Sequence, residues 1–590
     1  MKYIKCLSVI IFFIVSLPSW GCSDALSDKK QMILELEGIK HIFQMQYAPM
    51  QWKKEQFAWE LEDEIETAKQ KVLSFDEVTI QDFHGIVKKI FASLRDFHVN
   101  VSFFTTESAY LPIQIRGAEG RYFIVHVDKK QLSPQLFPIK PGDEILYFDD
   151  KPIAQAMEDF QIQEFGDNKG KTQKTKSEIM FTHRQAGRGH QIPQGPVIIQ
   201  VKHQGVEGVK SYQLTWAYTP EKIIQDLPLS NKKQANYNLG KKSNKKNFKE
   251  ILRSLDKPWM TPYYKPSLNH IFEPSESHKE ENDPKEEENE SPFILGAKKS
   301  MLPPLGRIWW KNEKKYWNAY IFETPERRLV GYLRIPHYVD YLGESVKELA
   351  EIIQLFEERT DALVIDQLNN PGGLIFYMYS IASLLSNQAL TTPRHHIKLT
   401  HADVFNALEC IPALEDVSDD LEAEFLFGRH YGGYPVSYQF CQCWLHYCRF
   451  IQEEWTQGKT FTDAIHLLGV DAVNPHPAAF TKPILLLINE LDFSCGDFFP
   501  AILQDNQRVT TMGVQTAGAG GFVTFTPLKS RFSIGGFNIT GSIAERADKS
   551  YIENAGVIPD VHYEISASDY QNHFFSFKEA ILNELCKIIK

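Results

Sequence analysis

Ser494 stands where a hydroxyl could act as a nucleophile. Before it runs PILLLINEL, Pro483 to Leu491, a continuous apolar segment of the kind found in a strand buried on both faces. After it, Phe498, Ile502 and Leu503 have the spacing of a helix packed on that sheet. A serine between such a strand and a helix N-terminus lies beside backbone N–H groups that lack an intrahelical acceptor and favour negative charge. Serine is also a favoured N-cap, so position alone leaves a structural reading open. A second stretch able to do chemistry follows the strand DALVIDQL, Asp361 to Leu368, which runs into NNPGG, Asn369 to Gly373. Two glycines after a strand let backbone approach a ligand closely, and an N–H there can face a developing oxyanion.

These stretches need a framework to hold them. From Leu302 to Lys590, buried strands such as RLVGYLRI (Arg328 to Ile335), DALVIDQL and PILLLINEL alternate with helical stretches such as Phe376 to Ser386 and Asp497 to Asp505. That alternation predicts an α/β domain, a layered sheet covered by helices.

From Lys30 to Leu94 the pattern is helical instead. Phe57, Leu61, Ile65, Ala68 and Val72 recur at intervals of three and four, as do Phe83, Ile86, Val87, Ile90, Phe91 and Leu94. Thr79, three residues before Asp82, has the form of a helix cap. The segment ends in LRDFHVNVSFF, where the period becomes two. His98, Asn100 and Ser102 fall on one side and Val99, Val101 and Phe103 on the other, which puts His98 at the start of a strand, facing away from the apolar set.

Between Leu111 and Trp216 the chain reads as short strands with turns, among them YFIVHV and VIIQVKHQG. Within it, IKPGDEILYFDDKPI (Ile139 to Ile153) holds a turn at Pro141-Gly142, a strand through Ile145 and Tyr147, and a hairpin at Asp149-Asp150. The string resembles the I-x-P-G-D-x-I segment of PDZ domains, which hold peptides by adding a strand to an open sheet edge.

Composition changes between Thr219 and Met301. Lys232 to Lys249 is rich in lysine, and Glu273 to Glu290 holds nine acidic residues against Lys279 and Lys285. Like-charge blocks of this kind do not bury enough surface to order themselves. Between them, Ile251 to Phe272 carries Trp259, Tyr263, Tyr264 and Phe272, an aromatic island suited to docking on folded surface.

At 590 residues the chain exceeds one ordinary core, and its net charge of -11 argues against a general nucleic-acid binder. The N-terminus, MKYIKCLSVIIFFIVSLPSWGCS, has the basic, apolar and small-residue order of a cleaved signal peptide, so the chain is expected to be exported. No other segment is long and apolar enough to span a bilayer. Cys441, Cys443 and Cys448 cluster with His446 but lack paired C-x-x-C spacing, and are read as packing rather than as a zinc site.

NNPGG after a strand, a Ser-led helix, and TAGAG at Thr516 to Gly520 together resemble the tail-specific, or C-terminal processing, serine peptidases, whose core is crotonase/ClpP-like. The common form of that family draws its base from a lysine in T-x-G-K-G. Here that position is Ala519, which excludes the lysine mechanism. RDFHVNVSFF, DFSCGDFFPAILQDN, TAGAGGFV and SYIENAGVIPD are similar to a chlamydial branch of the family that uses Ser-His-Glu. The resemblance covers most of the chain, fails mainly in the charged linker, and implies Ser494 as nucleophile, His98 as base and Glu553 as the residue that orients the base. Asp96 and Glu545 compete with Glu553 for the last role. Cys495 N–H, with one from Gly372 or Gly373, would form the oxyanion hole.

The expectation is therefore a multidomain α/β protein. Residues 1–21 form a signal peptide, 22–105 a helical segment ending in the His98 strand, 106–218 a PDZ-like β insert, 219–300 a charged linker with an inhibitory segment, and 301–590 the catalytic domain. It would be a serine endopeptidase needing no metal and no cofactor, made as a self-processing zymogen. The resemblance further implies a homodimer and protein substrates in the envelope or, after delivery into a host cell, among host proteins. The rivals are a catalytically silent peptide or ligand binder on the same fold and a PDZ-type scaffold in the envelope.

Overall fold

The computed structural model describes residues 21–221, 291–340 and 343–589. Most of the expected signal peptide and the 222–290 part of the linker lie outside them, as do the tracts and the aromatic island placed there.

Four helices open the described chain: α1 (Gly21–Gln46), α2 (Met50–Phe57), α3 (Leu61–Ser74) and α4 (Ile80–Ser93). The predicted cap is present, since Thr79 and Asp82 form a reciprocal capping box that starts α4. The stripe Phe83, Ile86, Val87, Ile90 and Phe91 is buried. Strand β1 (Asn100–Phe103) follows. His98 precedes this strand rather than opening it, and is completely buried.

The PDZ-like region holds an antiparallel sheet of β2 (Ile113–Ala118), β3 (Arg121–Val127), β4 (Glu144–Phe148), β5 (Pro196–Lys202) and β6 (Lys210–Thr215), in that order. The Asp149-Asp150 turn is as expected, with both residues at positive φ. A reading as strands alone was incomplete here. Helices α5 (Ile153–Phe165) and α6 (Lys171–Phe181) cover the sheet. In α5 the signal is a sparse stripe of Ile153, Met157 and Phe160; in α6 the first turns are polar, so neither carries strong periodicity.

The C-terminal half is built on a seven-stranded sheet. Its strands are β7 (Arg307–Lys311), β8 (Ala319–Glu323), β9 (Leu329–Arg334), β10 (Ala362–Asp366), β11 (Ile484–Ile488), β12 (Thr510–Gly513) and β15 (Val561–His562), side by side in that order. The pairs from β9 through β15 are parallel, and every residue of β10 and β11 is buried, which is why both read as unbroken apolar runs. Among the covering helices are α7 (Glu344–Arg359), α8 (Ile375–Ser383), α9 (His401–Glu415), α10 (Tyr438–Thr456), α11 (Cys495–Asp505) and α12 (Phe575–Ile588). The cysteine cluster lies on α10, with Cys441 and Cys448 buried.

One long-range pairing unites the two ends of the chain. Strands β13 (Val523–Pro527) and β14 (Ile534–Thr540) form a hairpin, and β1 adds to β14 in antiparallel register, Val101 opposite Phe537. Phe532, Ile534, Phe537 and Ile539 share one core with α1, α3, α4 and β1, and Phe43 stacks on Phe537 at 5.6 Å. This core carries His98 to the catalytic half, more than 390 residues away along the chain.

Candidate active site

Ser494 occupies the N-terminal boundary of α11 without acting as its cap. Its hydroxyl makes no capping bond, and its backbone sits at φ 55, ψ -118. A non-glycine residue at positive φ is strained and persists where its surroundings over-determine it. The determinants are nearby. Asp492, fully buried, accepts Asn370 N–H at 2.9 Å, Asn489 N–H at 2.9 Å and Gln367 Nε2–H at 3.1 Å, while Phe493 N–H donates to Asn370 O at 2.9 Å. These bonds fasten the turn after β10 to the turn after β11, at the carboxyl ends of two parallel neighbours.

The two glycines meet the serine turn directly. A Cβ on Gly372, whose φ is +88, would lie 2.8 Å from Ser494 Cβ and 2.9 Å from Cys495 N. A Cβ on Gly373 would lie 2.2 Å from Tyr338 O. Gly372 N–H donates to Asn370 Oδ1 at 2.8 Å, whereas Gly373 N–H has no acceptor among the described residues. Cys495 is the first residue of α11, so its N–H has no intrahelical acceptor, and its Sγ donates to Gly373 O at 3.3 Å. Of the two glycine amides, Gly373 N–H is thus the one left for an anion.

The TAGAG loop is tied to α11 by Asp497, a residue with no sequence-level signal. Its buried carboxylate accepts Thr516 Oγ1–H at 2.6 Å, Gly518 N–H at 2.8 Å and Ala519 N–H at 3.0 Å. Burial pushes its pKa up to about 6 against these three bonds. Ala519, where a lysine base would stand in the common form of the family, is fully buried with Phe97, Ile179, Leu491, Phe493 and Ala517. A methyl fills that place.

The same apolar cluster joins His98 to Ser494 through their neighbours. Phe97 and Phe493 meet edge to face at 5.6 Å, and Lys176 Nζ lies 5.4 Å and 5.5 Å from the two ring centres. Burial lowers the pKa of His98 to about 4; Asp96 opposes the shift and Lys53 and Lys176 add to it. The imidazole is therefore neutral at physiological pH, the form a general base requires.

Glu553 is fully buried. Gly520 N–H donates to its Oε2 at 3.2 Å, and Lys53 from α2 forms a buried ion pair with its Oε1. A carboxylate has about four lone-pair sites, so these contacts leave acceptor capacity for an imidazole. Burial and the neighbouring Asp96 push the Glu553 pKa up, and Lys53 pulls it down. Asp96 is itself committed: it accepts His98 N–H at 2.9 Å, Tyr47 O–H at 3.0 Å and Thr540 O–H at 2.8 Å. Glu545 pairs with Arg394 and His396, on another sheet. Glu545 is thus held apart from this cluster, while Asp96 and Glu553 both belong to it.

Comparison with known proteins identifies the two domains of the chain. Residues 329–563 match peptidase family S41 and residues 107–223 match a PDZ domain. An uncharacterized protein of Chlamydia muridarum (strain MoPn / Nigg) is 33% identical over 572 residues, which cover 94% of this chain and 91% of that protein. A protein of Chlamydia pneumoniae is 32% identical over 575 residues, covering 93% of this chain and 88% of that protein. The structure of mature CPAF complexed with lactacystin is similar at a TM-score of 0.79 and 28% identity, covering 95% of this chain and 99% of that chain.

Proposed function

The chain belongs to peptidase family S41 and is a serine peptidase with a PDZ domain, and from that premise we propose that it is an exported endopeptidase in which Ser494, His98 and Glu553 form the catalytic triad. Ser494 Oγ attacks the scissile carbonyl while His98 takes its proton. Cys495 N–H and Gly373 N–H donate to the oxyanion, and Glu553 stabilises the imidazolium. His98 then returns the proton to the leaving amine, and a water activated by the same imidazole releases the acyl group. The observation that carries this reading is the close fit of Gly372 against Ser494 and Cys495, which seats the glycine turn on the strained serine and the first amide of α11.

The proposal extends to a zymogen that cuts itself within residues 219–300, a charged tract of the kind favoured for nicking. Envelope or host proteins as substrates are supported by the signal-like N-terminus and by the chlamydial relatives.

The test is to purify wild type and Ser494→Ala and follow chain length and digestion of an unfolded protein over time. Wild type is expected to shorten within 219–300 and to cut its substrate internally. A wild type that stays full length while fully active, or a purified mutant nicked at the same rate, would contradict self-processing.

The pH profile has a definite sign. Activity needs neutral His98 and ionised Glu553; both are lost as pH falls, first Glu553, whose pKa is raised, then His98 near 4. Values of kcat/KM measured over about pH 4 to 9 should show one acid-side limb. A profile flat between about pH 5 and 8 would point to different chemistry.

A further inference from the structure

The geometry points to Lys53, in the N-terminal helical segment, as a positioning residue of the catalytic machinery, one that keeps Glu553 ionised and in register with the His98 turn. The inference rests on Glu553 being the triad acid.

Lys53 is completely buried, as is its partner Glu553. A buried ammonium is costly unless its donors are all used. Here three acceptors surround it: Glu553 Oε1, Asn554 Oδ1 at 2.6 Å and Arg95 O at 3.3 Å. They are the triad acid, the residue after it, and the residue that precedes the Asp96–His98 turn. Asn554 Nδ2–H donates to the same Arg95 carbonyl at 2.7 Å. Lys53 therefore joins the loop that carries the acid to the turn that carries the base. By contrast Lys54, its neighbour in the sequence, is exposed and pairs with Glu60, an ordinary surface contact.

Charge explains why a cation belongs there. Asp96 and Glu553 are two buried carboxylates acting on each other. Like charges sharing a buried site drive one of them to take up a proton. A neutral Glu553 could not stabilise the imidazolium of His98. One fixed cation balances one carboxylate, and the second remains to be balanced by the proton that His98 gains during turnover. The other groups facing this cluster are Tyr47, hydrogen-bonded to Asp96, and Lys176, which acts on His98 from α6. Neither touches Glu553 in the way Lys53 does. The helical segment would then be part of the catalytic apparatus, although it lies outside the part of the chain that matches the peptidase family.

The experiment compares kcat/KM against pH for wild type, Lys53→Met, Lys53→Gln, Glu553→Gln and the double variant Lys53→Met/Glu553→Gln, with thermal unfolding measured on each. Removing the cation should move the acid limb up by about one to three pH units, with a loss of about 10- to 100-fold at pH 7 that is recovered toward pH 9. In the Glu553→Gln background, Lys53→Met should add no further loss. If Lys53→Met does not fold, Lys53→Gln, which keeps a donor without the charge, carries the same comparison. A limb left at its wild-type position, with only the plateau or the melting temperature lowered, would mean that Lys53 is merely structural and would overturn the inference. Full activity of Glu553→Gln would instead remove the triad reading itself.

Discussion

Ser494→Ala and His98→Ala should each lower kcat by about 10⁴- to 10⁶-fold, and the double variant should be no worse than either single one. The reason is that neither residue acts alone. The hydroxyl is a weak nucleophile without a base, and the base has nothing to deprotonate without the hydroxyl. The fold should survive the serine change, because Ser494 Oγ makes no capping bond and the turn is held by Asp492 and Asn370. Alanine at a strained positive φ costs no more there than serine does. For His98, which is buried, a cavity cost of about 1 to 3 kcal/mol is expected and is read separately by denaturation. Steady-state kinetics on one peptide substrate check the prediction. Losses that multiply in the double variant would show that the two residues do not work as a unit.

The second large effect is expected at Gly372→Ala, which touches no substrate. At φ +88 the new methyl would be strained even in open space, and it would meet Phe493 O at 2.5 Å, Ser494 Cβ at 2.8 Å and Cys495 N at 2.9 Å. Something must shift, and all three of these atoms belong to the nucleophile turn. Displacing the serine and the Cys495 amide together should lower kcat by about 10²- to 10³-fold. A Gly→Ala change elsewhere provides the control. Gly85 has nothing within 4 Å of a built Cβ, so Gly85→Ala on α4 should leave kcat unchanged. Wild-type kcat in Gly372→Ala would mean that the glycine turn is not part of the oxyanion site.

What could be read in the sequence follows from how locally each feature is encoded. Ser494 and the Asn369–Gly373 turn could be placed because each follows an unbroken apolar strand, and burial on both faces leaves that pattern in the residues themselves. The helical opening and the Thr79–Asp82 cap were legible for the same reason. His98 reads as a strand residue facing away from the apolar set; it is completely buried two residues before β1, a strand that pairs with the β13–β14 hairpin over 430 residues away. Lys53 was invisible. MQWKKEQF reads as a polar surface helix, and only tertiary packing turns one of its two adjacent lysines inward. Asp492 and Asp497 flank the serine as ordinary turn acids, and their roles arise from the loops that fold back onto them. The helices at Ile153–Phe165 and Lys171–Phe181 were missed because their buried faces are set by the PDZ sheet they cover more than by their own periodicity.

The central claim is that one serine, Ser494, carries the acyl group. The most direct measurement is to treat the purified, active-length protein with a serine-directed fluorophosphonate and locate the adduct by peptide mass mapping. The account predicts one adduct per active chain, on the peptide containing Ser494, with activity lost in proportion and no labelling of His98→Ala under the same conditions. An active chain that remains unlabelled at Ser494, or that carries the adduct elsewhere while losing activity, would contradict it.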